Sequence, residues 1–247
     1  MKISSYTLPK SLHRLVESIK IAIQNHGQLS PKRAKEIVLA ADVQVEDMMH
    51  YADFDHPIED CYGRKMVYDG GTFEVMVMSW NPGDYSSIHN HGYTQWGVVQ
   101  VFGNAAHFLY NEKNQLVSFA KKEILTKGEA IKVNNALIHQ MGNPGSEQYL
   151  SLHVYGANDM HVPKDVTADA RNYDLELDRV AHTTGGAFFN LPSSEIYDVE
   201  ENIRCTPEVF VNYANQLLAY YQRQMPSKRI TELKQQVLSK LADVVLD

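Results

Sequence analysis

The hydrophobic positions of the chain change period twice. Residues 9–50 read as helix, because Leu12, Leu15, Ile19 and Ile23 of ‘LPKSLHRLVESIKIAIQNHG’ recur at helical spacing and share one face. Gly27 supplies a stop, and ‘SPKRAKEIVLAA’ opens a second helix with Ser30 at the cap and Pro31 at the first helical position. From about residue 62 to 192 the period falls to two. ‘TFEVMVMSW’, ‘WGVVQVFG’, ‘AHFLYNEKNQLVSFAKKEILTKGEAIKV’ and ‘QYLSLHVYG’ are short strand candidates separated by Gly, Asn and Pro turns. After ‘CTPEVF’ the helical pattern returns in ‘TPEVFVNYANQLLAYYQRQM’ and ‘SKRITELKQQVLSKLADVVLD’. Many short, regularly spaced strands predict a mainly β protein, a jelly roll or barrel, with helices at both ends. The expected division is a helical segment over 1–60 packed on the barrel, the barrel over 61–195, and a helical extension over 196–247. There is no internal repeat and no low-complexity linker.

Composition adds mainly exclusions. A formal charge of −7 argues against nonspecific nucleic-acid binding, which needs a basic surface to displace counterions. Cys61 and Cys205 are too few and too far apart for a disulfide framework, so reduced thiols in a cytoplasm are expected. The opening ‘MKISSYTLPK’ has no apolar h-region, and no run approaches the length of a membrane span. Neither secretion nor a membrane is expected, and oligomeric state is not fixed.

The candidate chemistry sits in ‘SSIHNHGYTQWG’, residues 86–97. Residues i and i+2 of a strand point to one face, so His89 and His91 converge and can share a metal through bonds of roughly 2 Å. Gly83 and Gly103 frame that pair. Downstream, ‘GEAIKVNNALIHQMGN’ offers Gly128, His139 and Asn143.

These two blocks resemble the paired motifs of the cupin superfamily, whose fold is a double-stranded β-helix. The second block keeps Gly128, His139 and Asn143, with Asn134 and Ala136 where Pro and Gly are usual. The first lacks the acidic ligand, because Gln95 or Trp96 stands in its place. A cupin with three histidines and no carboxylate is more similar to the thiol dioxygenases than to the oxalate, germin or isomerase branches.

Within that group, ‘YGRKMVYDGGTFEVMVMSWNPGDYSSIHNH’ resembles the Tyr-x-Arg and SSIHDH stretches of cysteine dioxygenase, and ‘SLHVYG’ resembles its Ser-x-His-x-Tyr element. The resemblance implies that His89, His91 and His139 bind Fe(II), and that the partners are a small thiol and O2. Arg64 would hold a substrate carboxylate through its planar fork, with Tyr62 adding a second contact. Tyr155, oriented by His153 and Ser151, would hydrogen-bond near the reacting atoms. L-cysteine, oxidised to its sulfinate, is the substrate that this reading favours.

Two features depart from the family. Where crosslinked family members carry a cysteine, this chain has Trp96, which is expected beside the substrate. ‘QWGVVQVFG’ also resembles 3-mercaptopropionate dioxygenases, so a related mercapto-acid is the first alternative. Further alternatives are a C–C-cleaving cupin dioxygenase, with Gln95 as a fourth ligand, and a non-enzymatic cupin binding module. His107, His161 and His182 match no motif and are expected to be structural or exposed, and Cys61 is expected to be a bystander.

Overall fold

The computed structural model describes residues 7–159 and 165–246. Helices α1 (Lys10–His26), α2 (Pro31–Ala40) and α3 (Val45–Met48) precede the strands. Gly27 ends α1 in a left-handed conformation, φ 68°, and its N–H bonds Ile23 O. Ser30 caps α2, its hydroxyl accepting from Arg33 N at 3.2 Å. Both boundaries follow the expected cap chemistry.

The strands are β1 (Gly63–Asp69), β2 (Phe73–Trp80), β3 (Ile88–His89), β4 (Trp96–Val101), β5 (Ala105–Lys113), β6 (Leu116–Leu125) and β7 (Ala130–Val133). They continue with β8 (Ile138–Gly142), β9 (Tyr149–Gly156), β10 (Ala170–Asp174), β11 (Arg179–Thr183), β12 (Ile196–Glu201) and β13 (Arg204–Cys205). Two sheets result, ordered β1-β2-β9-β4-β7 and β12-β11-β10-β3-β8-β5-β6-β13. This is the double-stranded β-helix of the cupins. Strand structure runs past residue 195: β12 pairs with β11, and β13 lies parallel to β6.

Alternation along the five-stranded sheet sorts its residues onto two faces. Phe73, Val75 and Val77 of β2, Trp96 and Val98 of β4, and Leu150, Leu152 and Val154 of β9 face outward. Against them pack Leu12, Leu15 and Ile19 of α1 and Ile37 and Val38 of α2. The opposite face turns inward with Met76, Met78, Trp80, Val99, Val101 and Tyr155. One sheet therefore divides two apolar cores, and whatever shares a face with Met78 looks into the barrel.

At the other end come α4 (Pro207–Arg223) and α5 (Lys228–Leu246). Helix α4 buries Val209, Phe210, Tyr213 and Leu217 in the core that includes the barrel interior. Its last turn is tied to the loops before β1 and β3. Tyr220 Oη donates to Glu59 O at 2.7 Å, and Arg223 pairs with the fully buried carboxylate of Asp84, which also meets His56.

Candidate metal centre

The three motif histidines come together, by a route slightly different from the expected one. Strand β3 is only two residues long, and His89 sits at its end as the direct cross-strand partner of His139 on β8. His91 lies just beyond the strand, where Gly92 turns the chain at φ 52°. A Cβ at Gly92 would lie 1.9 Å from Ala168 O, so only glycine allows this close pass. The ring centroids are 5.2 Å apart for His89–His91, 4.6 Å for His89–His139 and 4.7 Å for His91–His139. One ligand atom from each falls within 4.8 Å of the others.

Burial pushes His89 down to about 4 and His91 and His139 well below the ordinary histidine value. All three are therefore neutral imidazoles, the form that ligates metals. His89 Nδ1–H donates to Ser87 O at 3.0 Å, leaving Nε2 free. Both ring nitrogens of His91 are buried without a well-formed hydrogen bond among the described residues, the Asn134 backbone being the one polar group that approaches them. An orphaned polar pair is costly in a core, and a metal on one lone pair removes part of that cost. The donor set fits a nitrogen-binding transition metal.

Beside the triad is a small cavity of about 20 Å³, walled by Met78, Trp80 and Met141 with Tyr62, Arg64 and Tyr155. Arg64 leans over Met76, its Nε donating to Sδ at 3.1 Å. Among the described residues this is its only hydrogen bond, so the outer guanidinium nitrogens are uncommitted. Tyr62 stacks on Trp80 with centroids 4.6 Å apart and packs on Phe188 at 4.9 Å. Its hydroxyl is pushed up to about 12 by burial.

Ser151, His153 and Tyr155 share the inward face of β9. Ser151 Oγ is 2.7 Å from His153 Nε2, and His153 Nδ1 is 2.7 Å from Tyr155 Oη. Burial lowers His153 to about 3 and holds the Tyr155 phenol protonated. Trp80 completes the row, its Nε1 donating to Ser151 Oγ at 2.8 Å.

Trp96 departs from expectation. It is fully buried, but on the outward face with Phe73 and Val98, under the N-terminal helices. Its ring fills the space that a side chain at Gly156 would take, with Cζ2 2.1 Å from a Cβ built there. The reason is alternation: Val99 and Val101 face inward, so Trp96 and Val98 cannot. Gln95 also points away, its Oε1 accepting from Asn158 N at 2.8 Å. Neither Trp96 nor Gln95 therefore faces the three histidines.

His182 is bound between Asp169 and Glu200, away from the cavity. The Cys61 thiol is buried, accepts from Phe189 N at 3.1 Å and is pushed up to about 12 by desolvation. His161 lies outside the described residues. His107 is the residue that motif reasoning missed: its Nε2 is 2.9 Å from His139 Nδ1 and its Nδ1 is 3.0 Å from Glu123 Oε1. Only the register of β5 between β6 and β8 brings these three together, and nothing local in the sequence signals it.

A β-helix holding three inward histidines beside an uncommitted arginine defines a cupin with a candidate metal centre. Residues 3–159 match the family model described as cysteine dioxygenase type I, and the chain belongs to that family. It is 24% identical over 154 residues to cysteine dioxygenase type 1 of Danio rerio, covering 60% of this chain and 75% of the relative. Its identity to the Homo sapiens protein of the same name is 25% over 135 residues, covering 52% and 66%. The match to the human protein thus spans just under two thirds of that relative's length. Among solved structures, an uncharacterized conserved protein with a double-stranded β-helix domain from Klebsiella pneumoniae aligns with a TM-score of 0.36 at 18% identity. That alignment covers 48% of this chain and 92% of the other. No helix among the described residues is long and apolar enough to cross a membrane.

Proposed function

We propose that this protein is an Fe(II)-dependent thiol dioxygenase that oxidises a small carboxylate-bearing thiol, L-cysteine first among them, to its sulfinate with O2. The observation that carries the reading is Arg64. A guanidinium whose outer nitrogens have no hydrogen-bond partner among the described residues lines the same cavity as three neutral histidines, so one molecule can offer it a carboxylate and the metal a thiolate.

His89, His91 and His139 would hold the iron; these are three neutral nitrogen ligands with no anionic one, which favours binding of an anionic thiolate. When bound, the iron supplies the one-electron chemistry by which dioxygen reacts with a thiolate, both oxygen atoms ending on sulfur. The remaining work belongs to the chain. Arg64 fixes the carboxylate end, and a bidentate fork restricts rotation of a short substrate. Met78, Met141 and Trp80 keep the cavity wall apolar, which strengthens each polar contact inside it. Tyr155 stays protonated, and its hydroxyl hydrogen is available to the reacting end of the substrate.

Two competing readings lose support. A C–C-cleaving dioxygenase with Gln95 as fourth ligand is disfavoured because Gln95 is engaged with Asn158. A preference for 3-mercaptopropionate had its residue-level argument in Trp96, which packs outside the barrel. An oxygen-electrode screen of L-cysteine, cysteamine, 3-mercaptopropionate and mercaptosuccinate on anaerobically iron-loaded protein tests the proposal. Fastest consumption with L-cysteine is expected; equal failure of all four thiols would sink it.

A further inference from the structure

His139 differs from its two companions in what stands behind it. His89 is backed by a neutral carbonyl, that of Ser87, and His91 by no more than the neutral backbone of Asn134 among the described residues. His139 is backed by a second imidazole, and that imidazole by a carboxylate: Glu123 Oε1, His107 and His139 form a row with contacts of 3.0 and 2.9 Å. His107 is buried, so its ring is held on both sides by these contacts rather than by water.

The chemistry of the row fixes its direction. A carboxylate only accepts, so the proton between Glu123 and His107 sits on His107 Nδ1. His107 Nε2 then offers a lone pair, and His139 Nδ1–H donates to it. That leaves His139 Nε2 without a proton and free as a ligand. The opposite order would put a proton on His139 Nε2 and remove it from the ligand set. Register makes the row: His107 is the direct cross-strand partner of Glu123 on β6 and of Met141 on β8, two residues from His139 on the same face.

We propose that His107 and Glu123 are positioning residues that hold His139 in its ligating tautomer and strengthen it as a donor. The inference rests on reading the triad as a metal site, though not on the thiol as substrate. The three ligands carry no charge of their own, and the carboxylate that many cupins place on the metal is missing here. Glu123 provides a negative charge two imidazoles out, through hydrogen bonds that polarise in series. Lys121 pairs with the other oxygen of Glu123 at 2.5 Å and tempers that charge without displacing the bond to His107. His139 is on this account the anchor of the site, and His89 and His91 the weaker arms.

The test is Co(II) binding to metal-free protein, followed by ligand-field absorption and by competition with a chelator. His107→Phe keeps a ring but removes the acceptor, and is expected to weaken Co(II) binding about 10- to 100-fold, the usual cost of losing such a partner. His107→Gln can still accept from His139 Nδ1 and should recover most of that loss. Glu123→Gln, on a partly exposed side chain, should bind less tightly than the unaltered protein and shift the Co(II) bands, with the thermal midpoint unchanged. The proposal is overturned if His107→Phe and Glu123→Gln both bind as the unaltered protein does. It is equally overturned if His107→Gln is as defective as His107→Phe, which would mark a packing role. Failure of the unaltered protein to bind Co(II) at all would instead remove the metal reading itself, and this inference with it.

Discussion

Trp80 Nε1 donates to Ser151 Oγ at 2.8 Å, and this one bond gives the row on β9 its direction. Indole can only donate. Ser151 is fully buried, and its only other side-chain partner among the described residues is His153 Nε2, so its own hydrogen goes there. His153 must then carry its proton on Nδ1 and donate to Tyr155 Oη. With its oxygen already accepting, Tyr155 has its hydroxyl hydrogen left for the cavity. Tyr155→Phe is therefore expected to lower kcat by about 10²-fold at unchanged iron content, the scale of one preorganised donor. Trp80→Phe, which releases the far end of the row, should show a smaller loss in kcat; both are read by steady-state oxygen consumption alongside metal analysis.

Arg64 predicts a substrate-dependent loss. Removing a charge-assisted bond worth about 1.5–3 kcal/mol should raise KM for L-cysteine by about 10- to 100-fold in Arg64→Ala. Cysteamine, which has no carboxylate, should be almost indifferent to the change. Arg64→Lys should restore little, because an ammonium cannot reproduce the planar fork. Comparing KM for the two thiols across the three proteins checks this, and equal effects on both would contradict it.

Trp96 is expected beside the substrate from the family resemblance, and its position in the outer core makes it a stability residue instead. Trp96→Ala should cost about 3–5 kcal/mol, the range for emptying a large aromatic site. KM of the surviving folded fraction should stay unchanged. Urea denaturation and substrate titration of the same preparation separate the two roles.

His56 ties the C-terminal helices to pH. Its hydrogen bond to Asp84 raises its pKa above the ordinary histidine value, and burial only partly opposes this. A pKa raised on folding means stability that is fully present below the unfolded value. It is lost as pH rises through the folded one. The denaturation midpoint of His56→Gln should therefore fall further below that of the unaltered protein at mildly acidic pH than at alkaline pH. Parallel urea curves at the two pH values show whether the gap closes as predicted.

The parts of the fold legible in the sequence were those with long, uninterrupted periodicity. Strands β2, β4 and β9 alternate over six to eight residues, and α1, α2, α4 and α5 carry amphipathic stripes and cap residues. Strands β3 and β13 are two residues long and leave no periodic signal; partners on distant strands define them. The clustering of His89, His91 and His139 was legible because motif spacing reports it directly. Trp96 was misplaced because alternation says which residues share a face, not which face is inside. His107 escaped for a related reason: its meaning lies in a register with Glu123 and Met141 that only the assembled sheet supplies.

His139 carries the central claim in its simplest form, since it is the cross-strand partner of His89 and completes the triad. His139→Ala should bind iron substoichiometrically and lose oxygen consumption with L-cysteine, while retaining the β-rich circular dichroism of the folded barrel.

The most direct measurement is product mass after iron-loaded protein turns over L-cysteine under isotopically labelled dioxygen. The account predicts cysteine sulfinate carrying both labelled oxygen atoms, formed in step with oxygen consumed. Disulfide as the only product, or sulfinate with oxygen drawn from water, would contradict it.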